Sequence, residues 1–429
     1  MGGFLVSPGV AHAVPSFATQ TGQPCAACHV GAFGPQLTPF GRDFKLNGYT
    51  MTDGNKHGLP VSLMLQSSFT NTKKDNSSPT HGFGPNNNFS LDQISAFYAG
   101  ALTEHAGAFI QATYDGVANS FAWDNADIRY AHPFTIAGQD VVAGVSLNNT
   151  PTVQDLWNTT PAWGFPYSSS ALANTPSASP LIGSDGLNQQ VLGTTAYADI
   201  DGMVYVEGGA YHGLSGNIRN TLGEGINGTN TYQGLIPYWR VALQHDFNDA
   251  HYFEIGTYGL TANVYPSGVT SGGTDHYVDN AVDATYQWHA DPDNFVSAHM
   301  SYMHEDRNLK ATLAGSANTD QYLNQFKADV SYSYKNTWTP SLQYFKTTGS
   351  ADAVDSLSSP NSEGFTAELA YVPFGKADSP MPWFNGRVAL QYTGYTQYNG
   401  TSTNASDNNT VFLNLWLTLD PVAPFYEGK

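Results

Sequence analysis

The sequence predicts an all-β fold, an antiparallel outer-membrane β-barrel of about sixteen strands, and three observations predict it. Charged residues make up 12% of the 429 residues and aromatic residues 13%, so the charged share is about half that of an ordinary globular protein. No apolar run approaches the roughly 18 to 20 residues that a transmembrane helix needs. From Leu59 onward, short segments alternate between apolar and polar residues, which is typical of barrel strands with one face toward lipid.

The first thirteen residues resemble the tail of a secretory signal. Ala11-His12-Ala13 has the form of a signal-peptidase site, and Phe4 to Val6 look like the remains of an apolar core. The basic stretch that normally precedes such a core is missing, so an ordinary disordered N-terminus is the alternative. We expect residues 1–13 to be a signal-peptide remnant and the mature chain to begin at Val14.

Residues 25–29 read Cys-Ala-Ala-Cys-His, and Cys25 and Cys28 are the only cysteines of the chain. This pattern is typical of c-type haem attachment. The two thiols would add to the haem vinyl groups, and His29 would be the proximal iron ligand. Zinc, a redox dithiol and an incidental disulfide are the alternatives. Structural zinc needs four ligands, and a redox dithiol usually lies in a βαβ context, so we predict one covalent haem.

The residues that follow predict a short helix. Thr38 can cap it, Pro39 suits its first position, and it should end near Asn47-Gly48. Arg42 and Lys45 would lie within one turn of this helix, where they would either meet haem propionates or serve as solubilising surface charges. We therefore expect residues 14–58 to form a monohaem cytochrome c domain. Because it is too small to build a large core, it should dock in the barrel lumen.

The second axial ligand of the iron is predicted less directly. Met64 lies on the polar, lumen-facing side of the first strand, and methionine is an axial ligand of cytochromes c. Packing against the docked domain is the alternative role for its side chain. Met51 and His57 are the other nearby candidates, and His299 is a later one on a lumen-facing position. A distant or absent ligand also stays open.

The barrel segment should extend over residues 59–420, with residues 421–429 as a C-terminal tail. In the first strand, Val61, Leu63, Leu65 and Phe69 alternate with Ser62, Met64, Gln66 and Ser68. Sixteen such segments are predicted, at residues 60–70, 90–101, 105–115, 124–132, 139–148, 190–199, 202–212, 235–247, 250–262, 276–289, 293–304, 322–335, 338–347, 364–373, 384–396 and 409–420.

The connections alternate between short turns and long polar loops. Residues 103–106, 137–140 and 199–202 read as short turns, whereas residues 148–189 and 213–233 read as long outward loops. Short turns at one end and long loops at the other are typical of outer-membrane barrels, whose short turns face the periplasm. A soluble β-sandwich or propeller is the alternative, but it does not require this alternation.

The formal net charge is −19, which disfavours nucleic acid as a partner and favours cations. Either solubility of the loops or collection of cations explains this acidity. Five acidic residues lie in or beside the outward loops: Asp275, Glu305, Asp306, Asp352 and Asp355. Five charges lie at lumen-facing positions, where we expect them to pair with each other or to hold the docked domain: Arg240, Asp283, Lys327, Asp329 and Glu368.

The N-terminal motif resembles a known family. VPSFATQTGQPCAACH, followed by GPQLTPFGRDFKLNGYT and a long barrel segment, resembles the outer-membrane fused monohaem cytochrome–porins. The resemblance is specific over residues 14–50 and otherwise depends on length, strand number and alternation. It implies that Cys25 and Cys28 anchor the haem and that His29 binds its iron.

The function that the resemblance implies is electron transfer at the outer membrane. An extracellular donor, with Fe(II) as the first expectation, would pass electrons through the haem to a periplasmic c-type cytochrome or similar acceptor. The haem domain would enter from the periplasmic side, and outer-membrane lipid would surround the barrel. Whether this is Fe(II)-oxidising enzymatic activity stays open. The alternatives are a solute-transporting porin with a haem plug or sensor, and electron export to an external acceptor.

Overall fold

The strands form one antiparallel sheet that closes into a barrel. The computed structural model describes residues 14–183, 186–225, 229–248, 250–314, 319–351, 359–381 and 383–423. The strands are β1 Val61–Thr72, β2 Asn88–Ala101, β3 Ala106–Asp115, β4 Ser120–Ile136, β5 Gln139–Asn148, β6 Val191–Ile200, β7 Val204–Gly213, β8 Thr231–Gln233, β9 Leu235–Phe247, β10 His251–Tyr265, β11 Asp275–Asp291, β12 Asn294–Asn308, β13 Asp320–Tyr334, β14 Trp338–Gly349, β15 Ser362–Tyr371, β16 Phe384–Gln397 and β17 Thr410–Leu419.

Pairing between the first and last strands closes the barrel. β1 pairs with β17 from Leu63↔Leu419 to Thr72↔Thr410, and it pairs with β2 on its other side. β10 pairs with both β8 and β9, so these two segments form one interrupted wall strand. The seventeen segments therefore make sixteen wall strands, as predicted, and each one overlaps its predicted segment. Closure leaves no edge strand with unpaired backbone groups.

The two faces of each strand differ as the alternation predicts. In β1, Met64, Gln66, Ser68 and Thr70 are buried toward the lumen. Outward positions on many strands carry exposed apolar and aromatic side chains, for example Leu390. A wall with an apolar exterior and a polar interior is what a lipid bilayer requires of a spanning barrel.

Three short helices precede the barrel: α1 (Pro15–Thr21), α2 (Cys25–Cys28) and α3 (Pro39–Leu46). The Thr38 hydroxyl accepts a hydrogen bond from the Gly41 amide at 3.2 Å, and Pro39 takes the first helical position. The predicted start and end of α3 are therefore confirmed, because capping chemistry is local. Among the described residues, no helix is long and apolar enough to cross a membrane.

Residues 14–58, here called the plug, lie inside the barrel at the end where the short turns gather. The Thr19 hydroxyl donates to Asp420 just beyond β17 at 2.7 Å, and the amide of Asn385 in β16 donates to the Ala32 carbonyl at 2.7 Å. Gln36 contacts Ser331 of β13 at 3.3 Å. On the other side, Tyr49 donates to Asp127 of β4 at 2.7 Å. Because β4 and β13 lie on opposite sides of the ring of wall strands, the plug spans the lumen rather than resting on one wall.

Residues 149–190, here called the inner loop, connect β5 to β6 and fold into the lumen. Most of residues 149–163 are buried, including Thr150, Asp155 and Trp157. The predicted long connection is therefore present at this joint, but it folds into the lumen instead of extending outward. Its polar groups find partners on the barrel wall, which offsets the cost of removing them from water.

Residues 1–13 lie outside the described residues, so the predicted signal-peptide remnant is not addressed by the structure. The same holds for residues 424–429 of the predicted tail and for Asp352 and Asp355.

Candidate functional site

Cys25, Cys28 and His29 line one cavity of about 780 Å³ inside the barrel. The plug supplies most of its wall, and β3 and the inner loop supply the rest. Side chains of these two elements that line it are Phe109, Asn158 and Trp163. Its lining is mostly apolar and aromatic, which is typical of sites that hold organic ligands and cofactors.

A single helical turn brings the three residues of the motif together. α2 extends from Cys25 to Cys28, and the His29 amide donates to the Cys25 carbonyl at 2.9 Å. Both cysteines are free thiols in the structure. A bridge between His29 and Leu37 then holds the segment after the motif in place. Two thiols and one imidazole therefore face the same cavity, as c-type attachment requires.

Glycine at position 41 allows α3 to pack closely against the motif. A Cβ atom at Gly41 would lie 2.2 Å from the Cys28 carbonyl oxygen. Contacts this short do not occur between real atoms, so any larger residue would push α3 away from α2. Gly41 also lines the cavity, and this close approach therefore sets its shape.

Burial keeps the three groups of the motif uncharged. It lowers the pKa of His29 to about 4, although a hydrogen bond to the Gly34 backbone opposes this effect. It raises the pKa of the Cys25 thiol, and it raises that of Cys28 to about 12. A neutral imidazole is the form that binds iron. The raised thiol pKa values are the opposite of those of redox-active dithiols, so the dithiol alternative is disfavoured.

The His29 ring lines the cavity and carries an unsatisfied polar atom. Its Nδ1 atom is buried and has no hydrogen-bond partner among the described residues. A buried imidazole nitrogen without a partner carries a desolvation cost, which is consistent with a site built to receive a ligand at this ring.

Aromatic side chains form the apolar part of the cavity wall. Phe17 stacks on Tyr49 at 5.3 Å between ring centroids and meets Phe44 edge-on at 4.9 Å. On the far side, Phe109 meets Trp163 edge-on at 6.2 Å. A large planar apolar ligand suits such a wall. The free thiols, the neutral imidazole and the apolar cavity together fit a c-type haem, which Cys25, Cys28 and His29 would hold.

Arg42 and Lys45 point away from each other. Arg42 donates to Gln287 of β11 at 2.6 Å and stacks 3.8 Å from the centroid of Tyr252 in β10. It does not line the cavity but lines a second one of about 1260 Å³. Lys45 does line the cavity of Cys25, Cys28 and His29, and its Nζ donates to the carbonyls of Val153 and Asp155 at 2.8 and 2.6 Å.

These placements bear on the predicted propionate contacts. Both side chains are buried, so the alternative of solubilising surface charges is wrong. Arg42 binds the barrel wall, whereas Lys45 binds the inner loop beside the cavity. A propionate contact therefore stays a prediction, and only Lys45 is placed for it.

The three predicted distal ligands do not line the cavity among the described residues. Met64 faces the lumen as predicted, but it packs in a core cluster, 3.9 Å from the amide nitrogen of Gln66. Met51 is half-buried against the same cluster. His57 contacts Asp53 at 2.7 Å at the opening of another pocket, at the short-turn end. The later candidate His299 contacts Asp329 at 2.9 Å.

Arg129, which the sequence did not single out, joins the plug to the wall and to the inner loop. Its Nε contacts Asp127 at 2.7 Å, its Nη1 donates to the Lys45 carbonyl at 3.1 Å and its Nη2 to the Gln154 carbonyl at 2.7 Å. Tyr49 also donates to Asp127, at 2.7 Å. We call Tyr49, Asp127 and Arg129 the Arg129 network. One buried cation thus holds three parts of the chain together.

A second group of buried charges fastens the inner loop. Arg240 contacts Asp283 at 2.7 Å, Glu254 at 3.2 Å and Asp155 of the inner loop at 3.6 Å. Thr159 of the loop donates to Asp283. The expectation that lumen charges pair is confirmed for Arg240 with Asp283. It is also confirmed for Asp329, paired with His299, and for Glu368, paired with Arg387.

Two of the five predicted acidic loop residues are not exposed. Asp275 accepts hydrogen bonds from the backbone of Ala311 and Thr312, and Glu305 pairs with Arg307. Both carboxylates are buried, so they cannot collect cations at the surface. Within the described ranges, no group of three or more His, Cys, Asp and Glu side chains could hold a metal ion.

Trp163 and Asn158 line the cavity, and the sequence analysis did not single them out. The stretch from Trp157 to Tyr167 contains four aromatic residues in eleven, and this density is unusual for an outward polar loop. That composition was the available signal for an inward course.

Comparisons with known proteins support the barrel. No family model matches the chain, and no curated protein matches its sequence. OmpF of Salmonella typhi, solved in a complex with daunomycin, is 12% identical over 84% of this chain and 97% of its own, with a TM-score of 0.50. An anion-selective porin from Comamonas acidovorans is 12% identical over 84% of this chain and 98% of its own, with a TM-score of 0.47. The OmpF likeness shows that this chain has the closed-barrel fold of outer-membrane porins.

Proposed function

We propose that this protein is an outer-membrane electron carrier that holds one c-type haem inside a porin-like barrel. The observation that carries the proposal is the convergence of Cys25, Cys28 and His29 on one apolar cavity within the lumen. The resemblance of residues 14–50 to fused cytochrome–porins supports it. The fold likeness to OmpF supports the barrel part alone.

The residues of the chain would perform three tasks for the haem. The two thiols would hold it covalently, and His29 would provide a neutral nitrogen for its iron. Phe44, Phe109 and Trp163 would keep water from its faces. A bound haem supplies reversible one-electron chemistry, and the protein supplies position and environment.

The barrel would solve a problem of distance. A hydrocarbon core is about 30 Å thick, so a haem in the periplasm could not meet a donor outside the cell. The plug and the inner loop enter the lumen from opposite ends and enclose the cavity between them. A haem in that cavity would lie between the two aqueous sides, shielded from lipid by the wall.

The donor and the acceptor belong to opposite ends of the barrel. An extracellular donor, Fe(II) in the first instance, would approach from the long-loop side. A periplasmic c-type cytochrome would approach from the short-turn side. The cavity of about 1260 Å³ at that end is lined by the acidic residues Asp43, Asp140, Asp199 and Asp246, which favours a partner with a basic face.

The decisive experiment is rapid mixing of purified, haem-loaded protein with Fe²⁺ while the haem spectrum is recorded. We expect reduction of the haem, and we expect the Cys25→Ser/Cys28→Ser variant to carry no covalent haem. Purified protein that carries no covalent haem would overturn the whole proposal. A haem that Fe²⁺ does not reduce at any pH tested would leave the carrier but exclude Fe(II) as the donor.

A solute channel is the rival function, and the porin fold is the observation that favours it. Conductance in a planar bilayer separates the two: a carrier with a filled lumen should pass little current, whereas a porin should pass ions freely. Electron export to an external acceptor is the second rival. A measured haem potential well below that of the external Fe(III)/Fe(II) couple would favour export.

A further inference from the structure

Two buried carboxyl groups face each other where the inner loop meets the barrel wall. Asp279 of β11 and Glu305 of β12 are directly opposite each other in the register of the two strands. Asp279 lies near the start of β11 and Glu305 near the end of β12, and both of these strand ends belong to the long-loop end of the barrel. Their exposed fractions are 1% and 0%, so water does not screen a charge on either group.

The two carboxyl groups are close enough to form a hydrogen bond with each other. Ionised carboxyl groups only accept hydrogen bonds, so such a bond needs a proton on one of the two groups. The Oδ1 atom of Asp279 is buried and has no hydrogen-bond partner among the described residues, which is consistent with an oxygen that faces another carboxyl oxygen. Two acids placed this close together share one proton, because they cannot both ionise without strong repulsion.

Arg307 is the cation that lies next to this pair. Its Nε donates to Glu305, and its Nη2 donates to the Ser179 carbonyl of the inner loop at 3.2 Å. One guanidinium therefore offsets one carboxylate, and a proton is needed for the other. Within the described residues, the other titratable groups around the pair are Tyr258 of β10 with Tyr277 and Asp283 of β11, and the facing residue of β13 is Leu323.

The same two carboxyl groups hold the far end of the inner loop. The amide of Ile182 donates to Asp279 at 2.7 Å, and the neighbouring amide of Leu181 donates to Glu305. Both loop side chains are buried, in a cluster that also contains Tyr258. This end of the loop is therefore docked on the wall by apolar packing and by hydrogen bonds to the two acids.

We propose that one proton bound between Asp279 and Glu305 holds the outer end of the inner loop in the lumen, and that loss of this proton releases it. In the docked state, removal of the proton would leave two buried negative charges beside one guanidinium. When the loop moves away, water reaches both carboxylates and weakens their repulsion. Docking is therefore favoured at low pH and lost as the pH rises, by at most tenfold per pH unit, since one proton is involved.

The released segment would be the outer part of the inner loop alone. Residues nearer its start stay attached, because Asp155 contacts Arg240 and Thr159 donates to Asp283. The proton would therefore control access to the lumen from the long-loop side, which faces the cell exterior in outer-membrane barrels. The inference uses no group of the haem cavity, so it holds or fails independently of the proposed electron transfer.

Hydrogen exchange of residues 179–183, measured by mass spectrometry on full-length protein in detergent, tests the linkage. After correction for the intrinsic effect of pH on exchange, we expect opening of this segment to increase from about pH 5, above which exposed carboxyl groups are ionised. Wild-type exchange that does not depend on pH between about 5 and 8 would overturn the inference. This measurement needs no variant, so it remains decisive if a substitution prevents folding.

Asp279→Asn tests whether this carboxyl group carries the effect. The new amide keeps an acceptor for Ile182 and a donor for Glu305 but does not titrate, so opening of the loop should no longer depend on pH. Asp275→Asn is the matched control and should keep the wild-type slope, because Asp275 is equally buried in the same strand but binds the backbone at residues 311–312. Equal slopes in Asp279→Asn and wild type would exclude the pair as the origin.

Infrared spectroscopy tests the proton itself. A protonated carboxyl group has a carbonyl stretching band that an ionised carboxylate lacks. At neutral pH, the spectrum of wild type minus that of Asp279→Asn should contain one such band, and the spectrum of wild type minus that of Asp275→Asn should not. If the first difference spectrum lacks the band, both acids are ionised in the docked state and the proposed proton is absent.

Discussion

Removal of the Arg129 side chain should release the plug from its place in the lumen. In Arg129→Met, the buried carboxylate of Asp127 loses its cationic partner but keeps hydrogen bonds from Tyr49 and Ser146, each at 2.7 Å. The carbonyls of Lys45 and Gln154 lose a donor at the same time. The plug, the wall and the inner loop would all lose one shared anchor.

The size of the effect follows from the burial of this pair. Arg129 and Asp127 are 1% and 0% exposed. Removing one partner of a buried ion pair typically costs about 3 to 5 kcal/mol, because the other charge stays buried without compensation. At 1.4 kcal/mol per factor of ten, the equilibrium constant for opening the plug should rise roughly a hundredfold to a few thousandfold.

Hydrogen exchange over residues 14–58, read by mass spectrometry, measures this opening directly. Arg219→Met is the matched control, since Arg219 is equally buried but binds Gln190, Thr229 and Asn230 near the long-loop end. It should leave exchange in the plug unchanged.

A double variant tests the electrostatic reason for the effect. Asp127→Asn/Arg129→Met removes the uncompensated charge and should recover part of the protection. The reasoning is refuted if Arg129→Met exchanges at the wild-type rate while the barrel stays folded, or if Arg219→Met opens the plug equally.

Three further predictions concern the helices of the plug and the inner loop. Gly41→Ala should reduce the yield of covalent haem severalfold, because the new Cβ would lie 2.2 Å from the Cys28 carbonyl oxygen. Gly208→Ala is the control and should not change the yield, because a Cβ there meets no atom within 4 Å. Equal yields in the two variants would contradict this prediction. Burial, helped by nearby Arg129, lowers the pKa of Lys45 to about 7 from 10.5. Between these pH values the unfolded chain therefore binds one more proton than the folded chain, so plug stability should rise with pH from about 7 to 10.5. Denaturant titrations at several pH values measure the slope of stability against pH. An equal slope in Lys45→Met and in the wild type would contradict this prediction. Arg240→Met should leave the carboxylates of Glu254 and Asp283 uncompensated and lower the free energy of unfolding by about 3 to 5 kcal/mol, and an unchanged urea midpoint would exclude that role.

The local features of the chain were predictable because their causes are local. Period-two alternation places each strand and each face, so sixteen wall strands and the lumen side of Met64 follow from residues close in sequence. The start of α3 follows in the same way from Thr38 and Pro39. The spacing of Cys25, Cys28 and His29 is also a local pattern, and it predicted which residues share one site.

The tertiary structure alone decided what surrounds that site. Alternation states which side of the wall a residue faces, but not its height in the barrel or its neighbours across the lumen. For this reason the sequence could not predict that Met64 packs in the cluster that includes the cavity-lining Phe44 and Trp163. Nor could it predict that Arg42 binds the wall and Lys45 the inner loop. The course of residues 149–190 depended on distant partners as well. Asp155 and Thr159 enter the lumen because Arg240 and Asp283, on separate strands, meet them there. The aromatic residues of this stretch indicate an inward course, but partners so far apart in sequence cannot be identified from a local pattern.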